Sequence, residues 1–123
     1  MPHSVLIIDD EEDIRAVAAL SLETVAGWEV ATASSGAQGV ARAEHLQPDA
    51  ILLDVMMPGM DGRETVAALK KNPRTAPIPV VLLTAKTQTS EQNQLAGLGV
   101  NGVLRKPFDP LTLPGQIAEI LGW

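Results

Sequence analysis

Three apolar runs of strand length frame this chain: Val5-Leu6-Ile7-Ile8, Ala50-Ile51-Leu52-Leu53 and Val80-Val81-Leu82-Leu83. None alternates apolar with polar positions. That is the pattern of strands covered on both faces, as in a parallel sheet wrapped by helices. The segment Glu29-Val30-Ala31-Thr32-Ala33 alternates more and Val103-Leu104 is very short, so both read as edge strands. Between the strands the period becomes helical. Ile14, Val17, Ala18, Leu22 and Val25 form one stripe, with Gly27 as its C-terminal cap. Ser35 and Gln38 have capping-box spacing ahead of Val40 and Ala41, and this helix stops before Pro48. Val66 and Leu69 mark a third helix, ended by Asn72-Pro73. Ser90 can cap a fourth through Leu98, with Gly99 past its end. Pro114 to Leu121 reads as a fifth, with Ile117, Ile120 and Leu121 facing inward. Proline opens a helix but does not sit in its middle, so Asp109 to Leu113 is expected to be a connecting turn.

Five β-α repeats give an α/β fold with a doubly wound, five-stranded parallel sheet. Right-handed crossovers, with strands two and five at the edges, leave 2-1-3-4-5 as the simplest order. The winding reverses between strands one and three. Ligands of such sheets bind at the carboxyl ends of the strands near the reversal.

A length of 123 residues is expected to make one domain, 1–123, with one apolar core. There is no cysteine, which excludes a disulfide framework and a thiolate site and fits a reducing compartment. No apolar run approaches the ~20 residues of a membrane helix, and Met1-Pro2-His3 opens no signal peptide. A soluble, cytoplasmic chain is therefore the expectation, with no membrane partner. Nine Lys and Arg stand against 15 Asp and Glu, and Trp28, Phe108 and Trp123 are the whole aromatic complement. Direct nucleic-acid binding is disfavoured, because it draws on basic patches and stacking rings. The acidity suits a cation instead, since Asp9-Asp10-Glu11-Glu12-Asp13 stand in a row.

The candidate chemistry gathers at one edge of the predicted sheet. Asp9 and Asp10 follow strand one, Asp54 strand three and Thr84 strand four, and Lys106 lies just past strand five. Taken singly, each has a plainer reading: a helix cap, a loop carboxylate, a turn residue, a surface lysine. Those readings do not explain why all five end strands on the same side. Two carboxylates ~4 Å apart repel by about 4 kcal/mol at an effective dielectric of 20, and a small dication removes that repulsion. Mg²⁺ takes oxygen ligands and is usually held by one or two carboxylates together with a phosphate.

Four segments carry a resemblance: Ile7-Ile8-Asp9-Asp10-Glu11, Leu53 to Gly62 (Leu-Asp-Val-Met-Met-Pro-Gly-Met-Asp-Gly), Leu83-Thr84-Ala85 and Lys106-Pro107-Phe108. In this order and spacing the chain resembles the receiver domain of two-component response regulators over nearly its whole length. The fold implied is flavodoxin-like. The resemblance also implies that Asp54 accepts a phosphoryl group from a phosphohistidine, donated by a sensor histidine kinase or a phosphotransfer protein. It implies Mg²⁺ held by Asp10, Asp54 and the backbone carbonyl of Met56, with Asp9 binding through water. Thr84 and Lys106 would contact phosphoryl oxygens, and the Lys106-Pro107 bond would be cis, although the X-Pro base rate alone favours trans. On physical grounds Lys106 supplies mobile positive charge and Ala85 leaves the approach to Asp54 open. Gly59 and Gly62 let the loop after Asp54 turn tightly, and Asp61 is set to cap the third helix.

The chain departs from the family pattern at Val103, where receivers commonly carry an aromatic residue. Val is stiff about χ1, so the expected read-out runs through the Thr84–Ser90 loop and the fourth helix. With no output domain after Trp123, a stand-alone receiver is expected, monomeric or weakly dimeric. It would act on a downstream protein through helices four and five and strand five. Trp123 is expected to pack on its own domain ahead of anchoring a partner, and His3 and His45 to lie at the surface. Met56 and Lys86 flank the approach to Asp54. Three rival functions compete with this reading. A Mg²⁺-dependent Asp-nucleophile phosphohydrolase usually pairs its nucleophile after strand one with an acid two residues on and adds a cap domain; here Glu11 holds the second place and 123 residues leave no cap. A flavin protein would need a phosphate-cradling loop where Asp9-Asp10-Glu11 would repel the phosphate. An unphosphorylated interaction module of the same fold has only Val103 in its favour.

Overall fold

The computed structural model of the chain describes residues 2–85, 93–95 and 97–123. Its strands are β1 (Ser4–Ile8), β2 (Glu29–Ala33), β3 (Ala50–Asp54), β4 (Val80–Thr84) and β5 (Gly102–Arg105). The described helices of eight residues or more are α1 (Glu12–Ala26), α2 (Gly36–Leu46), α3 (Gly62–Lys71) and α4 (Leu113–Leu121). All strand pairs are parallel, and the order is β2-β1-β3-β4-β5, as the patterning requires. The three continuous apolar runs are the three central strands. β3 and β4 are buried at every position, because helices cover both faces.

Two apolar layers flank the sheet. Leu6, Ile8, Ile51, Leu53 and Leu82 meet Ala43, Val66 and Leu69 on one face, with Val103 packed at its margin. Val5, Ile7, Leu52, Val81 and Leu83 meet Ala18, Leu22, Leu113 and Ile117 on the other. Alternate residues of one strand thus serve opposite layers.

The ends of the elements follow local chemistry. Gly27 closes α1 in the left-handed region: its N–H donates to the Glu23 carbonyl, and the Trp28 N–H donates to the Leu22 carbonyl, both at 3.1 Å. Ser35 caps α2, accepting from the Gln38 N–H at 3.1 Å. The reciprocal half of the capping box goes elsewhere, because Gln38 Oε1 accepts from the N–H of Ser34, not of Ser35. Asp61 caps α3, accepting from the Glu64 N–H at 2.9 Å.

Several expectations need correction. Val17 and Val25 are not on the buried stripe of α1. They are exposed, whereas Ala18, Ser21 and Leu22 are buried, so the inward face is narrower and rotated towards small residues. Val17 and Val25 join Leu20, Pro110 and Leu111 around an open apolar groove of about 260 Å³. Leu113 is not part of the turn. It is the first residue of α4 and fully buried, because its side chain belongs to the second apolar layer. His3 is half-buried, stacked on Trp123 with ring centroids 3.7 Å apart and edge-on to Trp28 at 5.9 Å. Trp123 packs on its own domain through this cluster, and His45 is exposed. Of the predicted 90–98 helix, Asn93–Leu95 is helical. Lys86, Ser90 and most of the proposed read-out loop lie outside the described residues.

Candidate functional site

Parallel strands all present their carboxyl ends at one edge, and five polar groups meet there. Asp54 and Thr84 are the last residues of β3 and β4, so these strands end one residue later than the apolar runs suggest. Asp9 follows β1 and continues its direction, its N–H donating to the Ala33 carbonyl at the end of β2. β5 ends at Arg105, so Lys106 comes next, and its N–H donates to the Thr84 carbonyl at 2.9 Å. The Lys106-Pro107 bond is cis.

The ammonium of Lys106 lies across two carboxylates. Its Nζ is 3.0 Å from Asp9 Oδ2 and 3.1 Å from Asp54 Oδ1. Asp9 is fully buried, Asp54 nearly so, and Asp10 is exposed at the rim. Carboxylate oxygens of Asp9, Asp10 and Asp54 all lie within 4.8 Å of one another. Burial pushes the Asp54 carboxyl up from 3.8 to about 6, against the lowering effect of its bond to Lys106; the neighbouring Asp9 charge adds to the rise. Burial alone would lower the Lys106 pKa, but the bonds to Asp9 and Asp54 outweigh it and the pKa is raised. Asp54 Oδ1 also lies 3.4 Å from the Met56 N–H, at the long limit of a hydrogen bond. Asp54 Oδ2 is buried and, among the described residues, has no hydrogen-bond partner. A buried anionic oxygen without a partner is costly, and this one belongs to a cluster of three carboxylates.

The loop after Asp54 is shaped by two glycines for different reasons. Gly59 takes a positive φ of 71°. Gly62 does not need a special dihedral; it needs space, because a Cβ there would meet the Val55 Cα at 2.6 Å. Met56, two residues after Asp54, is 59% exposed. Ala85 is exposed and adds no bulk there.

The family model of the response regulator receiver domain matches residues 5–118. The chain belongs to this family. The receiver is 40% identical over 121 residues to the DNA-binding dual master transcriptional regulator RpaA of a Synechocystis strain, covering 98% of this chain and 49% of the relative. It is 39% identical over 120 residues to the phosphate regulon transcriptional regulatory protein PhoB of Pseudomonas aeruginosa, covering 96% of this chain and 51% of that protein. The receiver thus spans about half the length of these curated relatives. Among solved structures, the chemotaxis response regulator CheY4 of Vibrio cholerae superposes with a TM-score of 0.90 at 33% identity, covering 98% of this chain and 99% of that one.

The receiver's fold brings Asp9, Asp10, Asp54 and Lys106 together, with Thr84 at the neighbouring strand end. Two contacts escape the sequence reading. Arg15 Nη1 donates to the Asp9 carbonyl at 2.7 Å. Ser21 Oγ donates to the Pro110 carbonyl, tying α1 to the loop beyond Lys106. Both residues sit within an ordinary amphipathic helix, and nothing in its pattern marks them.

Proposed function

We propose that this receiver takes a phosphoryl group on Asp54 from the phosphohistidine of a sensor histidine kinase or a phosphotransfer protein, with Mg²⁺ as cofactor, and thereby changes its affinity for a protein partner. The observation carrying this reading is the cup itself: a nearly buried carboxylate with one oxygen unpartnered among the described residues, beside two further carboxylates and under a lysine. The oxygen-only donor set suits Mg²⁺, with Asp9, Asp10, Asp54 and the Met56 carbonyl as the residues that would hold it. When bound, the ion neutralises charge on the phosphoryl oxygens and relieves carboxylate repulsion.

In the transfer, an Asp54 oxygen attacks phosphorus. The P–O bond forms as the P–N bond to imidazole breaks, and the imidazole leaves to take up a proton. Lys106 already lies over Asp54 Oδ1 and needs only a small swing to meet a phosphoryl oxygen. The Thr84 hydroxyl, at the adjacent strand end, is the second contact. The resulting acyl phosphate is open to water, which attacks phosphorus and returns the carboxylate and inorganic phosphate. The chain assists its own phosphorylation and dephosphorylation and is no turnover enzyme for other phosphoesters. A donor has to bring its phosphohistidine to this cup. Such donors put the receiver in the cytoplasm.

The test is intact mass after incubation with acetyl phosphate and Mg²⁺. One added phosphoryl group is expected, lost with a chelator present and absent in Asp54→Asn. An unmodified parent would leave a passive interaction module, and steady release of phosphate from a simple phosphomonoester would restore the hydrolase.

A further inference from the structure

Asp9 is held at four points. Its N–H donates to the Ala33 carbonyl at 3.1 Å, its Oδ1 accepts from the Glu11 N–H at 2.9 Å, and its Oδ2 accepts from Lys106 at 3.0 Å. The sheet, the entry to α1 and the lysine account for these three. The fourth comes from Arg15, whose Nη1 reaches back over one helical turn to the Asp9 carbonyl at 2.7 Å. Arg15 stands in a neighbourhood of carboxylates, Asp9 through Asp13, yet among the described residues it forms no ion pair. A guanidinium that binds a neutral carbonyl in such company serves geometry more than charge.

That carbonyl belongs to the peptide joining Asp9 to Asp10. The unit is planar, so fixing its oxygen fixes the direction in which the chain enters Asp10. The Asp10 carboxylate is exposed, and among the described residues no hydrogen bond or ion pair holds it. Its place in the cup therefore rests on its backbone. We propose that Arg15 is a positioning residue, which aims Asp10 at the cation through the Asp9–Asp10 peptide.

This inference rests on the cation reading above, and one titration series separates the two. Mg²⁺ is titrated calorimetrically into the full chain, its Arg15→Met and Arg15→Lys variants, Asp10→Asn, and the Arg15→Met/Asp10→Asn double variant. Thermal melts without cation serve as the folding control. Arg15→Met removes a positive charge that repels a dication, so charge alone would tighten binding. The positioning role predicts the opposite, a Kd raised roughly tenfold. Arg15→Lys keeps the charge and one donor and should fall between. Asp10→Asn should weaken binding far less in the Arg15→Met background than in the parent, because the carboxylate it removes is already misdirected. Equal or tighter Mg²⁺ binding by Arg15→Met overturns the proposal, as does full additivity of the two substitutions. If Arg15→Met melts early, Arg15→Lys decides, and parental affinity in that variant is equally fatal. A parent that takes up no Mg²⁺ would bring down the cation reading and this inference together.

Discussion

Asp54 is tuned by where it sits. A carboxyl whose pKa is higher in the fold than in the unfolded chain holds its proton more tightly when folded. Stability linked to it is therefore gained as pH falls from about 6 towards 4, and is missing above about 6. The interval from 3.8 to about 6 corresponds to about 3 kcal/mol at most. Lys106 runs the other way: its pKa is raised, so its contribution is complete at neutral pH and is lost only in strong alkali. Asp54→Asn deletes the buried charge and leaves Lys106 with Asp9. Without divalent cation the variant should be more stable than the parent by about 1–3 kcal/mol near pH 7.5, and the gap should close near pH 4.5. Urea unfolding at the two pH values measures it; a gap of constant size would show that burial is not what lifts Asp54.

At the scale of elements, the strands were largely legible because burial on both faces leaves an unbroken apolar run. The sheet order followed from handedness and from which strands alternate. Helix faces were less legible. Val17 and Val25 look like core residues, but on α1 the surface against the sheet is taken by Ala18, Ser21 and Leu22, and nothing in a stripe of apolar letters says which side the sheet lies on. The site residues were legible because each ends or closely follows a strand. Arg15 was not, because an arginine in the first turns of a helix ordinarily faces solvent. Gly62 was noticed for the wrong reason. Its missing Cβ admits the Val55 backbone, and the same place would bring a methyl to 3.0 Å from the Asp54 carbonyl. Backbone cannot swing aside as a side-chain tip can. Gly62→Ala should therefore destabilise the chain by about 1–3 kcal/mol and weaken Mg²⁺ binding as the Asp54–Val55 segment shifts. Thermal melts and calorimetry check the two effects; a stable variant with parental Mg²⁺ affinity would contradict the close approach.

On the scale of the whole molecule, the sheet separates two poles. One carries the carboxylates and Lys106. The other carries His3, Trp28 and Trp123, where the strand entering the sheet and the last helix leaving it are clasped by rings. Offset and edge-on aromatic pairs contribute about 0.5–1.5 kcal/mol each beyond burial. Trp123→Ala removes two of the three contacts and should cost about 1–3 kcal/mol of stability while leaving Mg²⁺ affinity unchanged. Denaturation followed by Trp28 emission provides the measurement, and a loss of Mg²⁺ affinity would mean the poles are coupled.

The stack of His3 on Trp123 also has a topological consequence. It joins the first strand's entry and the last helix's exit through one pair of stacked rings, about 17 Å of strand away from Asp54. A short bridging peptide could close the backbone there into a circle, and the chain could then be reopened at a surface loop. The carboxylate cup would be unaffected, since its geometry depends on neighbouring strand ends and not on the order in which the polypeptide visits them.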